Sequence, residues 1–198
     1  MSKQEVTEIV TVLTIMNVLP FILTGGKFIT EALDEVFIIG SVGTILVGLA
    51  ELFLYYPREN FYDGLLLTVG GTIIWSFVAI TFGAPMLDLL HLTLLWALFQ
   101  TRLTLFPFAK LDTTQEGRVD ALNRLLQRDP VKNEVERRIR FGFYGAALGA
   151  WAGVFPIPLD WDQPWQAFPI TIYYGSVIGW VIGTLAQHAF NRNQKRQE

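Results

Sequence analysis

Two ionisable side chains, Asp88 and His91, stand three residues apart in an apolar stretch of the sequence. On a helix this spacing places both on one face, where a carboxylate and an imidazole could serve as a general acid and base. An ionisable group inside a membrane segment is costly, which makes each of these intramembrane polar residues a candidate site. The other interpretation is a structural hydrogen bond, because two residues supply neither a metal site nor a nucleophile with its base.

Further catalytic chemistry is scarce in the sequence. It lacks the GxxxxGK[ST] phosphate loop, the HExxH zinc motif, the GxSxG nucleophile motif and any array of aspartates that could hold divalent metals. It has no cysteine, which excludes disulfides, thiolate ligands and a cysteine nucleophile. We predict no catalytic, cofactor-binding or metal-binding residues. The alternative is a lipid transporter or a membrane-embedded transferase that acts alone through Asp88 and His91.

The segment FPIPLDWDQPW, residues 155–165, is the most unusual stretch in composition. Its prolines fix their own φ angles and disfavour helix in the preceding residues, which predicts a rigid connector. Tryptophans beside carboxylates suit a membrane–water boundary, and they would also suit an aromatic-centred contact with a partner. The segment therefore either only connects two helices of a hairpin or also binds a partner protein. The candidate interface residues are Trp151, Pro156, Pro158, Asp160, Trp161, Asp162 and Trp165.

The apolar segments on either side of this connector repeat a small residue every four positions. The two ridges consist of Gly145, Gly149 and Gly153, and of Gly175, Gly179 and Gly183. In lipid, such ridges let helix backbones approach closely and gain dispersion and Cα–H···O contacts. We predict that the two segments pack on each other as a helical hairpin. The other interpretation is that a ridge receives a helix of another protein.

The overall composition predicts an integral membrane protein. Hydrophobic residues make up 52% of the chain and charged residues 17%, whereas soluble domains carry about 25% charged residues. The net charge of −3 gives no electrostatic basis for binding nucleic acid. A transmembrane helix needs about 20 apolar residues. Six stretches of this kind occur, at residues 6–23, 36–56, 61–82, 85–106, 139–154 and 168–190.

The distribution of basic residues predicts the orientation, because lysine and arginine favour the cytosolic side. With the N-terminus in the cytosol, 13 of the 15 basic residues lie on the cytosolic side, counting Arg140 at the cytosolic end of span five. Lys27 lies opposite, and Arg102 lies inside span four. Both termini and loop 107–138 are then cytosolic, and loop 155–167 is lumenal. Snorkelling or ion pairing accounts for Arg102 and Glu51.

The cytosolic loop carries helix signals of its own. Thr113 and Glu116 are spaced as a capping box, and the next apolar positions share one helical face. They predict a short amphipathic helix, which either lies on the membrane or a partner, or is a solvated connector.

The stretch GAWAGVFPIPLDWDQPWQAFPI, residues 149–170, resembles the signature of the PIG-F family. A shorter resemblance covers FGAPMLDLL, residues 82–90. The resemblance implies a non-catalytic, multispanning subunit of the endoplasmic reticulum membrane. Such a subunit binds and stabilises a large PIG-O or PIG-G partner, which transfers ethanolamine phosphate onto glycosylphosphatidylinositol (GPI) anchor precursors.

The expected fold is an all-α bundle of six transmembrane helices, with the amphipathic helix between spans four and five. Its expected contacts are the large subunit and membrane lipids, without a cofactor.

Overall fold

A computed structural model describes residues 33–55, 58–111, 120, 123, 134–159, 161 and 163–194, and the regular structure in these residues is helical. The long helices are α1 (Leu33–Tyr55), α2 (Arg58–Thr81), α3 (Leu90–Leu103), α4 (Glu134–Ala152) and α5 (Ile170–Gln194). Two short 3-10 helices span Phe106–Lys110 and Pro164–Gln166. The all-α prediction is confirmed for this part of the chain.

Four helical segments among the described residues are long and apolar enough to cross a membrane. They are Glu35–Leu54, Arg58–Thr81, Leu90–Lys110 and Ile170–Ala189. Helix α4 combines an apolar second half with a charged beginning, in which Glu134 and Glu136 precede three arginines. Span 6–23 lies outside the described residues, as does nearly all of the loop that holds the predicted amphipathic helix. The count of six spans therefore stays a prediction.

The outer surface of α2 shows why these helices suit a bilayer. Leu66, Ile73 and Phe77 are between 65% and 70% exposed on this helix. In water, a contiguous apolar surface of this kind would favour association or aggregation. Exposing the same apolar side chains to the hydrocarbon of a bilayer is not unfavourable. A helix also forms its backbone hydrogen bonds within itself, as a lipid environment requires.

The core joins three helices, α1, α3 and α5, through a stack of aromatic rings. Tyr173 of α5 is fully buried, and its ring centroid lies 4.5 Å from that of Phe37 on α1 and 4.2 Å from that of Phe99 on α3. Aromatic pairs at such distances are stabilising beyond the area they bury. This stack attaches the α4–α5 hairpin to the hairpins formed by the preceding helices.

The beginning of α3 differs from the prediction that span four starts at Pro85. The chain leaves α2 through turns in which Gly83 adopts a φ of 93°, and α3 begins only at Leu90. The Thr93 hydroxyl donates a hydrogen bond of 3.0 Å to the Pro85 carbonyl oxygen, which ties these turns to the first turn of α3. Residues 83–89 are therefore a connector, which shortens the fourth predicted span at this end.

Candidate functional site

The position of Asp88 contradicts the prediction that it shares a helical face with His91. Asp88 lies in the connector before α3, whereas His91 is the second residue of that helix, and both residues are exposed. The physical reason is the turn at Gly83 to Pro85, which delays the helix although the hydropathy of the sequence continues. The hypothesis of a transporter or transferase acting alone assumed that Asp88 is helical, and this assumption is wrong. The described residues contain no cluster of three or more potential metal-binding side chains.

The structure brings the two glycine ridges face to face along α4 and α5. A methyl group added to Gly149 would overlap the backbone carbonyl oxygen of Gly175. A methyl group on Gly145 would overlap the carbonyl oxygen of Gly179, and a methyl group on Gly179 would overlap that of Gly145. A methyl group on Gly153 would likewise overlap the backbone carbonyl oxygen of Thr171, and one on Gly183 would overlap that of Phe141. Only residues without a side chain allow the helices to approach this closely.

The connector after α4 is a compact series of turns organised by the side chain of Gln166. Its amide nitrogen donates hydrogen bonds of 2.7 Å to the carbonyl oxygens of Pro156 and Leu159. Its amide oxygen accepts a hydrogen bond of 2.9 Å from the backbone of Gln163. One side chain, only 9% exposed, thus joins three points of the loop. Gln166 is not among the predicted site residues, although it lies within the segment 149–170 that resembles the family signature.

The end of α4 and the loop that follows expose two pairs of aromatic rings, Trp151 with Phe155 and Trp161 with Trp165, which together we call the tryptophan surface. The rings of Trp161 and Trp165 lie 5.7 Å apart, and those of Trp151 and Phe155 lie 4.8 Å apart. Trp161 is 55% exposed and Trp151 is 53% exposed. Asp160 and Asp162 lie outside the described residues. Of the two prolines predicted for the interface, Pro156 is half-buried and Pro158 is exposed.

This loop and the connector before α3 lie at the same end of the helical bundle. Ala84 from the connector and Ile157 and Phe168 from the loop pack against one core cluster, which includes Leu92 at the start of α3. Both segments that resemble the PIG-F signature therefore contribute side chains to the same core cluster. Residues 91–148 separate the two segments in the sequence.

The opposite end of the bundle holds a charged cluster centred on Glu51 of α1. The Lys110 ammonium group lies 2.6 Å from one carboxylate oxygen of Glu51, and the Arg102 guanidinium lies 3.9 Å from the other. The Arg102 Nε donates a hydrogen bond of 3.2 Å to the Thr44 carbonyl oxygen, and its guanidinium covers the Phe106 ring at 5.0 Å. The ion pairing expected for Arg102 is present and pins the end of α3 to α1.

These features define a polytopic membrane protein that is helical in its described residues, and its last described helix pair carries a motif-bearing connector. The chain belongs to the family described as "GPI biosynthesis protein family Pig-F", whose model matches residues 55–188.

Three relatives illustrate the similarity. The chain is 37% identical to a PIGF/3-ketodihydrosphingosine reductase fusion protein of Schizosaccharomyces pombe, over 68% of this chain and 27% of that protein. It is 39% identical to glycosylphosphatidylinositol anchor biosynthesis protein 11 of Pyricularia oryzae, over 61% and 43% of the two chains. It is 32% identical to the human GPI ethanolamine phosphate transferase, stabilizing subunit, over 54% and 47%. The matched part is less than half of each relative. No solved structure matches the chain.

Proposed function

We propose that this protein is a non-catalytic subunit that binds and stabilises a large GPI ethanolamine phosphate transferase subunit in the endoplasmic reticulum membrane. The match to the PIG-F family over two thirds of the chain supports an accessory role in GPI biosynthesis. The mouse and human relatives carry the name of a stabilizing subunit of this transferase. A PIG-O-like or a PIG-G-like protein is the proposed partner.

The observation that carries this proposal is the exposed tryptophan surface on a loop held by partly buried hydrogen bonds. Tryptophan dominates binding energy at protein interfaces when it is buried by the partner. A surface that is already ordered loses little conformational entropy on binding, and the three hydrogen bonds of Gln166 provide this order. We propose that Trp161 and Trp165 contact the large subunit, with Asp160 and Asp162 contributing beside them.

Alanine at Trp161 or Trp165 should lower the amount of co-purified large subunit by roughly tenfold or more, the effect of losing an interface hot spot. The total amount of this protein should stay near normal, because both rings are exposed and Trp161 contributes little to the core. Phe77→Ala on α2 is the control, since Phe77 is 69% exposed and lies outside the loop. The measurement is quantitative mass spectrometry of the affinity-purified complex, together with ethanolamine phosphate transfer in membranes.

A parallel fall in the level of this protein and in transfer would contradict docking. The loop would then serve only to connect α4 and α5, and the partner would bind elsewhere.

We also propose that the tryptophan surface faces the lumen and that both termini are cytosolic. The count of basic residues motivates this topology. A glycosylation acceptor inserted between Asp162 and Pro164 should be modified in microsomes, while an acceptor inserted after Arg192 should not be. Modification of the tail acceptor alone would require the inverted topology.

A further inference from the structure

A long apolar groove follows the outer side of the α4–α5 pair. Its volume is about 1020 Å³, and the ridge glycines form its floor. Tyr144 and Leu148 stand on the α4 wall, and Tyr174, Ile178 and Ile182 stand on the α5 wall. Leu148 and Ile178 are each about 60% exposed, so the groove opens outward along its length. We call this feature the α4–α5 groove.

The groove has the dimensions of a lipid-binding site. Pockets for small molecules in proteins enclose about 300 to 1,000 Å³ and are mostly apolar. From Arg140 to Gly153 helix α4 rises about 20 Å, whereas the hydrocarbon of one leaflet is about 15 Å deep. The groove is therefore long enough to hold the whole part of an acyl chain that lies within one leaflet.

One end of the groove is lined by an arginine. Arg140 is the single charged residue among the described lining residues. It follows the charged first turns of α4 and directly precedes the apolar run that begins at Phe141. A basic side chain at such a boundary lies at the depth of lipid headgroups, where basic pockets between transmembrane helices bind anionic headgroups. The opposite end is lined by Pro156 and Trp165.

We propose that the α4–α5 groove binds an anionic phospholipid of the surrounding bilayer. One acyl chain lies over the glycine floor between the walls of Leu148 and Ile178, and the lipid phosphate lies beside Arg140. Charge complementarity selects this occupant, because a phospholipid brings a negative charge to the level of Arg140 together with an apolar chain. This inference does not depend on the proposed partner.

Photolabelling of the full-length protein tests the proposal. The probe is phosphatidylglycerol with a diazirine in one acyl chain, diluted into phosphatidylcholine nanodiscs, and labelled residues are mapped by mass spectrometry. We expect labels concentrated between Tyr174 and Ile182. Ile178→Trp fills the groove and should lower this labelling about fivefold, and Arg140→Gln should have a similar effect through its lost charge.

Two matched variants serve as controls. Ile73→Trp adds the same ring on α2, where Ile73 is 65% exposed away from the groove, and Arg58→Gln removes an exposed arginine outside it. Both should leave the labelling of α5 unchanged. Equal labelling of α2 and α5 that none of the variants alters would overturn the proposal, because it reports bulk lipid only. Strong labelling of α2 with none in the groove would also overturn it, because a protein helix then occupies the groove.

Discussion

Replacing Gly149 by alanine is expected to destabilise the fold by about 3 kcal/mol, the upper part of the usual range for overpacking. A methyl group at this position would overlap the Gly175 carbonyl oxygen and lie 2.9 Å from the Gly179 Cα atom. Both obstacles are backbone atoms of α5, so no side chain can rotate out of the way. The helices must separate along the whole ridge, which forfeits contacts beyond the substituted residue.

Gly70→Ala is the matched control for this prediction. A methyl group on Gly70 meets nothing within 4 Å, and Gly70 lies within helix α2. Alanine is preferred over glycine in a helix by about 1 kcal/mol, so this variant should be as stable as the parent or more stable. The measurement is the thermal midpoint and the monodisperse yield of each variant in detergent. Equal midpoints for Gly149→Ala and the parent would contradict the close packing of α4 and α5.

The architecture of the last two helices was predictable because its cause is local in the sequence. A glycine every fourth residue marks one face of a helix whatever surrounds it, and prolines restrict the chain wherever they occur. The segment 155–165 could therefore be predicted as a connector between two helices. Hydropathy likewise located the helices that begin at Leu33, Arg58 and Ile170, within a few residues at each end.

The start of α3 shows where hydropathy is insufficient. Apolar residues continue from Pro85 into the helix, so a window of composition cannot separate the connector from the span. The deciding feature is the backbone turn at Gly83. Asp88 was consequently predicted within the helix that carries His91, and this placement was wrong.

The role of Gln166 could not be derived from spacing, because its partners are set by the path of the loop. It contacts carbonyl groups seven and ten residues earlier in the chain. These contacts occur in a loop, where neither the period of a helix nor that of a strand predicts which residues meet. The pairing of Glu51 with Lys110 is similar, since it depends on the 3-10 helix Phe106–Lys110, which places Lys110 against the end of α1.

The geometry of the Glu51 cluster predicts a second large effect. The side chain of Arg102 is 4% exposed and that of Lys110 is 11% exposed, while Glu51 remains 32% exposed. Two cations thus share one carboxylate at the end of the bundle. Removing one partner from a buried ion pair typically costs about 3 to 5 kcal/mol, because a charge remains in a poorly solvated place. The partial exposure of Glu51 reduces this cost through solvent screening.

Glu51→Gln should therefore lower the free energy of unfolding by about 2 kcal/mol, since the glutamine keeps the shape of the side chain and removes only its charge. Glu59→Gln is the matched control, because Glu59 is exposed at the start of α2 and should change stability by less than about 0.5 kcal/mol. The measurement is thermal unfolding in detergent at low and high salt. The difference between the two variants should shrink only modestly in high salt, because buried pairs are screened less than exposed ones. Equal stability of the two variants would show that Arg102 is held by the Thr44 carbonyl and the Phe106 ring without help from the Glu51 charge.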